Sequence, residues 1–194
     1  MRNTTHLIRT VCVFAVGCAQ LGAQFEYGPG EVPYVPTPPE VVEAMLQLGA
    51  AKKTDIVYDL GCGDGRIVIT AAKKYGARGK GIDIDPKRIA EATENAKKEG
   101  VAQLLRFEER NLFDADFREA TLVTLYLLPD VNLRLRPKLV RDLKVGSRIV
   151  SHSFTMAEWE PTKKQDVNGR TIYLWIVTDE AKQKFAEKAA AAAN

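Results

Sequence analysis

The chain has 194 residues, 45% of them hydrophobic and 27% charged, a length and balance that suit one globular domain rather than two. Its formal charge of +3 falls to +1 without residues 1–23, where Arg2 and Arg9 are the only charges, so there is no electrostatic case for nucleic acid or an anionic membrane surface. Cys12, Cys18 and Cys62 show neither metal-ligand spacing nor a paired framework, and no metal is expected.

Residues 1–10 carry Arg2 and Arg9 without an acid, residues 11–23 are mostly apolar or small, and Ala23 offers a cleavage position. This pattern predicts a signal peptide or N-terminal anchor over residues 1–23, with an apolar run too short to span a bilayer. Gln20 and Leu21 fit such a cleavage site poorly, and Ala15-Val16-Gly17 before Cys18 makes an imperfect lipoprotein pattern. Export or membrane association is expected, with a cytoplasmic location as the alternative. Residues 24–39, rich in Gly, Pro and Tyr, read as an extended arm.

Pro38-Pro39-Glu40 opens a helix to about Leu48, with Val41, Val42, Met45, Leu46 and Leu48 apolar at helical spacing. The apolar run Ile56-Val57-Tyr58 is a first strand, and residues 66–74, free of Gly and Pro, are a helix. A second strand over residues 79–84 leads to a helix over residues 86–99, ended by Gly100. Residues 104–108 and 122–128 read as third and fourth strands, the latter apolar throughout and central. A helix over residues 130–143 and a fifth strand over residues 148–154 follow. Asn168-Gly169 between residues 163–167 and 170–177 is the strongest hairpin signal in the chain. Residues 181–194 form an Ala-rich C-terminal helix or tail, after a main domain over residues 40–180.

The most informative stretch joins the first strand to its helix: Asp59-Leu60-Gly61-Cys62-Gly63-Asp64-Gly65-Arg66, followed about twenty residues later by Gly81-Ile82-Asp83-Ile84-Asp85. Glycines between a strand and a helix let backbone approach a ligand, and helix N–H groups attract an anionic group. Asp83 falls at the carboxyl end of the next parallel strand, where open α/β sheets bind ligands and an acid can accept hydrogen bonds from ribose hydroxyls. A dinucleotide fold is the rival, but its G-x-G-x-x-G pattern fails at Arg66, and Asp59 and Asp64 flank the loop that would have to cradle a diphosphate. S-adenosylmethionine carries an ammonium and a sulfonium, which a carboxylate at Asp59 favours.

These two motifs resemble those of class I, seven-strand S-adenosylmethionine-dependent methyltransferases. The resemblance implies a doubly wound α/β fold, with a mostly parallel seven-stranded sheet, a C-terminal antiparallel hairpin and helices on both faces. It implies S-adenosyl-L-methionine as cofactor, held by Asp59, Gly61, Cys62, Gly63, Asp64, Gly65, Asp83 and Ile84, with the side chain of Cys62 doing no chemistry. Asn111-Leu112 follows the third strand where that family usually places an acid against the adenine amino group; the Asn carbonyl oxygen can accept the same bond, and an Asx turn before Phe113 is the plainer reading.

Tyr126-Leu127-Leu128-Pro129 lacks the Asn or Asp followed by Pro-Pro of many amino-methylating relatives, which disfavours nucleic-acid bases and glutamine amides as acceptors. With Tyr34-Val35-Pro36-Thr37-Pro38 and Ser151-His152-Ser153-Phe154, this segment resembles bacterial relatives of the mitochondrial lysine methyltransferases that act on membrane proteins of the ATP synthase and the nucleotide carrier. That narrower likeness implies a protein acceptor, with Tyr34, Val35, Pro36, Thr37, Leu128 and Pro129 lining a lysine channel; a proline-stiffened linker is the alternative for the first four. Tyr126 is the candidate to orient the amine, or else a core tyrosine. His152 reads as a structural histidine ahead of a proton relay, and Trp159 and Trp175 as packing. Small-molecule methylation and a noncatalytic cofactor-binding module are the competing functions.

Overall fold

Short apolar runs separated by helical segments give a sheet whose strands are covered on both faces. The structure, a computed structural model, describes residues 34–192; the leader and the first part of the arm lie outside the described residues. The strands are β1 (Ile56–Leu60), β2 (Arg78–Asp83), β3 (Leu105–Glu109), β4 (Leu122–Leu125), β5 (Arg148–His152), β6 (Lys163–Val167) and β7 (Arg170–Ile176). Their spatial order is β3-β2-β1-β4-β5-β7-β6, with β1 to β5 parallel and β7 antiparallel to both neighbours. The seven-stranded sheet and its C-terminal hairpin are as expected. After β3 the chain returns to the other side of β1, so the strand order reverses between β1 and β4, the place where such sheets open a crevice at their carboxyl ends.

The helices are α1 (Pro39–Leu48), α2 (Arg66–Tyr75), α3 (Pro86–Lys98), α4 (Pro129–Asp142) and α5 (Asp179–Ala192). On one face, Val41, Met45 and Leu46 of α1 and Ile67, Val68 and Ala71 of α2 pack against Val57, Leu122 and Val150 of the sheet. On the other, Leu135 and Leu139 of α4 and Phe185 of α5 pack against Leu60, Leu125 and Ile149. Truncating one of these buried leucines to Ala costs about 2–5 kcal/mol. Trp175 donates its indole N–H to the carbonyl of Trp159 at 2.6 Å, and Trp159 meets Phe185 at 5.7 Å between ring centroids, which fixes α5 to the hairpin side. Both tryptophans pack the core.

Local chemistry sets the element ends. Pro86 at the first turn of α3 follows Asp85, whose side chain accepts from the Lys87 N–H at 2.8 Å, a helix cap. Asn168 (φ 53°) and Gly169 (φ 77°) give the two left-handed residues of the tight turn between β6 and β7. Two strands are shorter than the sequence suggests. β4 stops at Leu125, not Leu128, because Leu127 turns inward over Gly61 and Leu128 precedes the first turn of α4. β5 stops at His152, where Ser153 takes a φ of 67°. Apolar character continues past both ends, so it cannot mark them.

Candidate active site

Register places three polar side chains on the α1–α2 face of neighbouring strands. Asp59 pairs with Thr124, Thr124 with Val150, and His152 lies two residues beyond Val150. Asp59 is 3% exposed and accepts one hydrogen bond, from the Thr124 hydroxyl at 2.7 Å. Burial pushes its pKa up to about 7, against the lowering effect of Thr124 and helped by Asp83 and Asp64. No salt bridge to it exists among the described residues. A buried carboxylate with one hydroxyl partner is an incomplete site that a cation would complete.

The loop after β1 is folded against the end of β2. Gly61 and Cys62 both donate their N–H groups to the carbonyl of Ile82, at 2.8 and 3.0 Å. The Asp83 carboxylate accepts from the Gly63 N–H at 2.8 Å and the Asp85 N–H at 3.0 Å, so it braces the loop with one oxygen and its own turn with the other. Each oxygen keeps a further lone pair for a donor such as a hydroxyl. Cys62 is buried, and burial drives its thiol pKa upward, which leaves the sulfur without nucleophilic character. Gly65 (φ 79°) begins α2, and a methyl group there would meet Ala92 and Phe107 at 2.9 Å.

Asp64 is placed differently from its neighbours. Both of its oxygens accept from the Arg66 guanidinium, at 2.9 Å from Nε and 2.6 Å from Nη2. Against the upward push of burial, Arg66 holds the Asp64 carboxyl below the ordinary carboxylate range. Arg66 also donates to the carbonyl of Thr37 at 2.9 Å and so ties the arm to the loop. The Tyr34 ring lies on Gly63, where an added Cβ would stand 2.4 Å from it, and faces the Arg88 guanidinium 4.4 Å from the ring centroid. Val35 and Pro36 are exposed, while Thr37 is buried, its hydroxyl 3.3 Å from His152 Nδ1.

On the other side of the crevice, Tyr126 is half-buried, its ring centroid 3.9 Å from that of His152 and 6.4 Å from that of Phe154. Leu128 is half-buried and Pro129 exposed, at the start of α4. Ile84 is 62% exposed directly after Asp83, an apolar surface that a planar ring would cover. Asn111 forms the Asx turn, its Oδ1 accepting from the Phe113 N–H at 3.0 Å, and Leu112 packs inward against the core. The structure therefore brings Asp59, Gly61, Cys62, Gly63 and Asp83 together, places Ile84 beside them, and sets Tyr34 and Thr37 against Gly63 and His152.

These residues fit a cationic nucleoside: an uncompensated buried carboxylate, loop glycines against which no side chain of their own intrudes, an acid with spare acceptor capacity, and an exposed isoleucine. The ANTKMT methyltransferase domain family matches residues 59–163, which include both motifs. The chain belongs to the ANTKMT methyltransferase domain family. Its methyl donor is S-adenosylmethionine. Over 151 residues it is 47% identical to a protein-lysine N-methyltransferase of Saccharolobus islandicus, covering 75% of this chain and 94% of that protein. It is 34% identical over 132 residues to the adenine nucleotide translocase lysine N-methyltransferase of Mus musculus, covering 68% of this chain and 57% of that longer protein. A Salinibacter ruber protein described as an RNA methyltransferase, solved with S-adenosyl-L-homocysteine, is 52% identical with a TM-score of 0.74, covering 75% of this chain and 95% of that one.

Sequence reasoning missed Thr124, Arg66 and Arg88 as parts of this ANTKMT-family site. Thr124 had a signal, being the one hydroxyl inside the run Leu122-Val123-Thr124-Leu125. Arg66 was visible only as the residue that spoils a glycine pattern, and Arg88 carried no signal at all.

Proposed function

We propose that this chain methylates the side-chain amine of a protein lysine. The observation that carries the reading is the wall after β4, where Tyr126, Leu128 and Pro129 present aromatic and aliphatic surface in place of the carboxamide or carboxylate that would grip a planar amide or base edge. The names of the Saccharolobus islandicus and Mus musculus relatives support the same acceptor.

When bound, S-adenosylmethionine supplies a methyl group on a positively charged sulfur. The chain's own part is to bind and to orient. Asp59 offers the negative charge for the cationic end, Asp83 the acceptors for hydroxyls, and Ile84 apolar cover. Tyr34 closes over Gly63 and keeps water from it, while Thr37 seats the arm against His152. Tyr126 and Leu128 guide an alkyl chain so that its nitrogen stands in line with the methyl carbon, about 3 Å away, the arrangement that lowers such a barrier most. A lysine must arrive neutral, and a dry wall next to a cation favours its neutral form.

The acceptor class is a membrane protein, near which residues 1–23 would keep the enzyme as a retained N-terminal anchor. A second reading, RNA methylation, is favoured by the description of the Salinibacter ruber protein. Incubating the full-length protein and tritiated S-adenosylmethionine with membrane and soluble extracts separates them. Label that protease removes and ribonuclease spares, enriched in the membrane fraction, is expected; label lost to ribonuclease would establish the RNA reading instead.

A further inference from the structure

His152, at the tip of β5, is 0% exposed, and its two neighbours belong to opposite walls of the site. Its Nδ1 lies 3.3 Å from the hydroxyl of Thr37 in the arm, a contact that bridges 115 positions of sequence. Its ring packs on Tyr126 at 3.9 Å between centroids, just past the end of β4. The other ring nitrogen, Nε2, is buried without a hydrogen-bond partner among the described residues. A histidine kept only for packing has no reason to hold one polar atom unsatisfied, because an apolar ring of the same shape would pack without that cost.

The contacts continue beyond His152. Thr37 is held at its carbonyl by Arg66, and Arg66 by Asp64 in the loop that Asp83 braces. Asp64, Arg66, Thr37, His152 and Tyr126 thus form one connected path from the cofactor loop, through the arm, to the wall that faces the acceptor. Burial, with Arg170 opposing a positive charge nearby, keeps the imidazole neutral, its pKa lowered to about 4, so the path needs no ionic contact at this point.

We propose that His152 is a positioning residue for methyl transfer: it latches the arm to Tyr126, so that the acceptor wall takes its working shape only when the arm is seated on the cofactor loop. The acceptor's identity rests on the lysine reading above, whereas the latch itself does not. The effect of His152 passes through Thr37 and Tyr126.

The test uses the full-length protein with His152→Leu, His152→Asn, Thr37→Val and the Leu/Val double variant. Asn places an amide near where Nδ1 stands and keeps a partner for Thr37. Three quantities are read: S-adenosylmethionine affinity by calorimetry, apparent kcat and KM for tritium transfer into titrated membrane extract as the acceptor, and backbone hydrogen exchange at Val35 and Thr37. His152→Leu and Thr37→Val should each lower kcat/KM for the acceptor by roughly 10- to 100-fold, as a misplaced wall does, with cofactor affinity within about threefold of wild type. Both should speed exchange in the arm. The double variant should be no worse than either single one, the sign of a shared contact, and His152→Asn, which keeps a partner for Thr37 but gives up the ring contact with Tyr126, should lose clearly less than His152→Leu. Additive losses, a His152→Asn as impaired as His152→Leu, or unchanged arm exchange in Thr37→Val would overturn the latch. A wild type that labels RNA and no protein would remove the lysine reading alone; arm exchange, accelerated or not in the two single variants, then decides the latch.

Discussion

The hydroxyl of Thr124 on β4 donates to Asp59 on β1 at 2.7 Å, and among the described residues it is the sole hydrogen-bond donor to that buried carboxylate. The protein without cofactor therefore carries an acid whose pKa, about 7, lies well above its ordinary 3.8. A group that binds its proton more tightly when folded favours folding fully below pH 3.8 and loses that contribution as pH rises through about 7. Asp59→Asn keeps an acceptor for Thr124 and removes the ionisation. Without cofactor the variant should be more stable than wild type at about pH 8, by a few kcal/mol, with the gap closing towards about pH 4, as thermal melts across that range will show. The stability gained accompanies lost cofactor binding, a trade common at functional sites.

Asp83 joins the two motifs through the Gly63 N–H at 2.8 Å and the Asp85 N–H at 3.0 Å. Asp83→Ala removes both braces together with the acceptors for ribose hydroxyls. Cofactor affinity should fall by about 30-fold or more, since each charge-assisted hydrogen bond lost is worth about 1.5–3 kcal/mol. Equal affinity for wild type and variant, measured by calorimetry, would show that Asp83 does not face the cofactor.

Gly63 has a φ of 52°, and a methyl group there would stand 2.4 Å from the Tyr34 ring. Gly63→Ala should push the arm off the loop as well as strain the backbone by about 1–3 kcal/mol. Pairing it with Tyr34→Ala removes the clash but not the strain, so the double variant should recover only part of the lost melting temperature.

At the opposite, amino-terminal edge of the sheet, Arg148 pairs with the buried Asp55, to which the Thr121 hydroxyl also donates at 2.7 Å. Arg148→Met leaves that carboxylate unpaired and should cost about 3–5 kcal/mol in denaturant unfolding. Because this cluster lies away from the crevice, cofactor affinity of the folded fraction should stay unchanged. Asp55→Asn added to Arg148→Met should return part of the stability.

The fold was largely legible because strand, turn and helix signals agreed: Asn168-Gly169 dictated its tight turn, and the glycines after Asp59 separated β1 from α2. That Asp59 and Asp83 stand at the carboxyl ends of neighbouring parallel strands followed from their positions relative to those glycines. What was not legible is long-range contact. Thr37 gives no sign in sequence that it meets His152, and the apolar run through Leu128 conceals the end of β4 at Leu125, since Leu127 stays buried outside the strand. Asp64 looked equivalent to Asp59, yet its partner Arg66 lies two residues on, where short local ion pairs form irrespective of any ligand.

The β1 tip holds an uncompensated carboxylate for a positively charged nucleoside. Calorimetric titration of S-adenosylmethionine from about pH 5.5 to about pH 8, repeated in buffers of different ionisation enthalpy, tests it directly. Below the Asp59 pKa of about 7, binding should release a proton and affinity should drop by up to about tenfold per pH unit, while above it affinity should be flat. Asp59→Asn should abolish that slope. A wild-type affinity independent of pH across the range, with no proton released, would contradict the account.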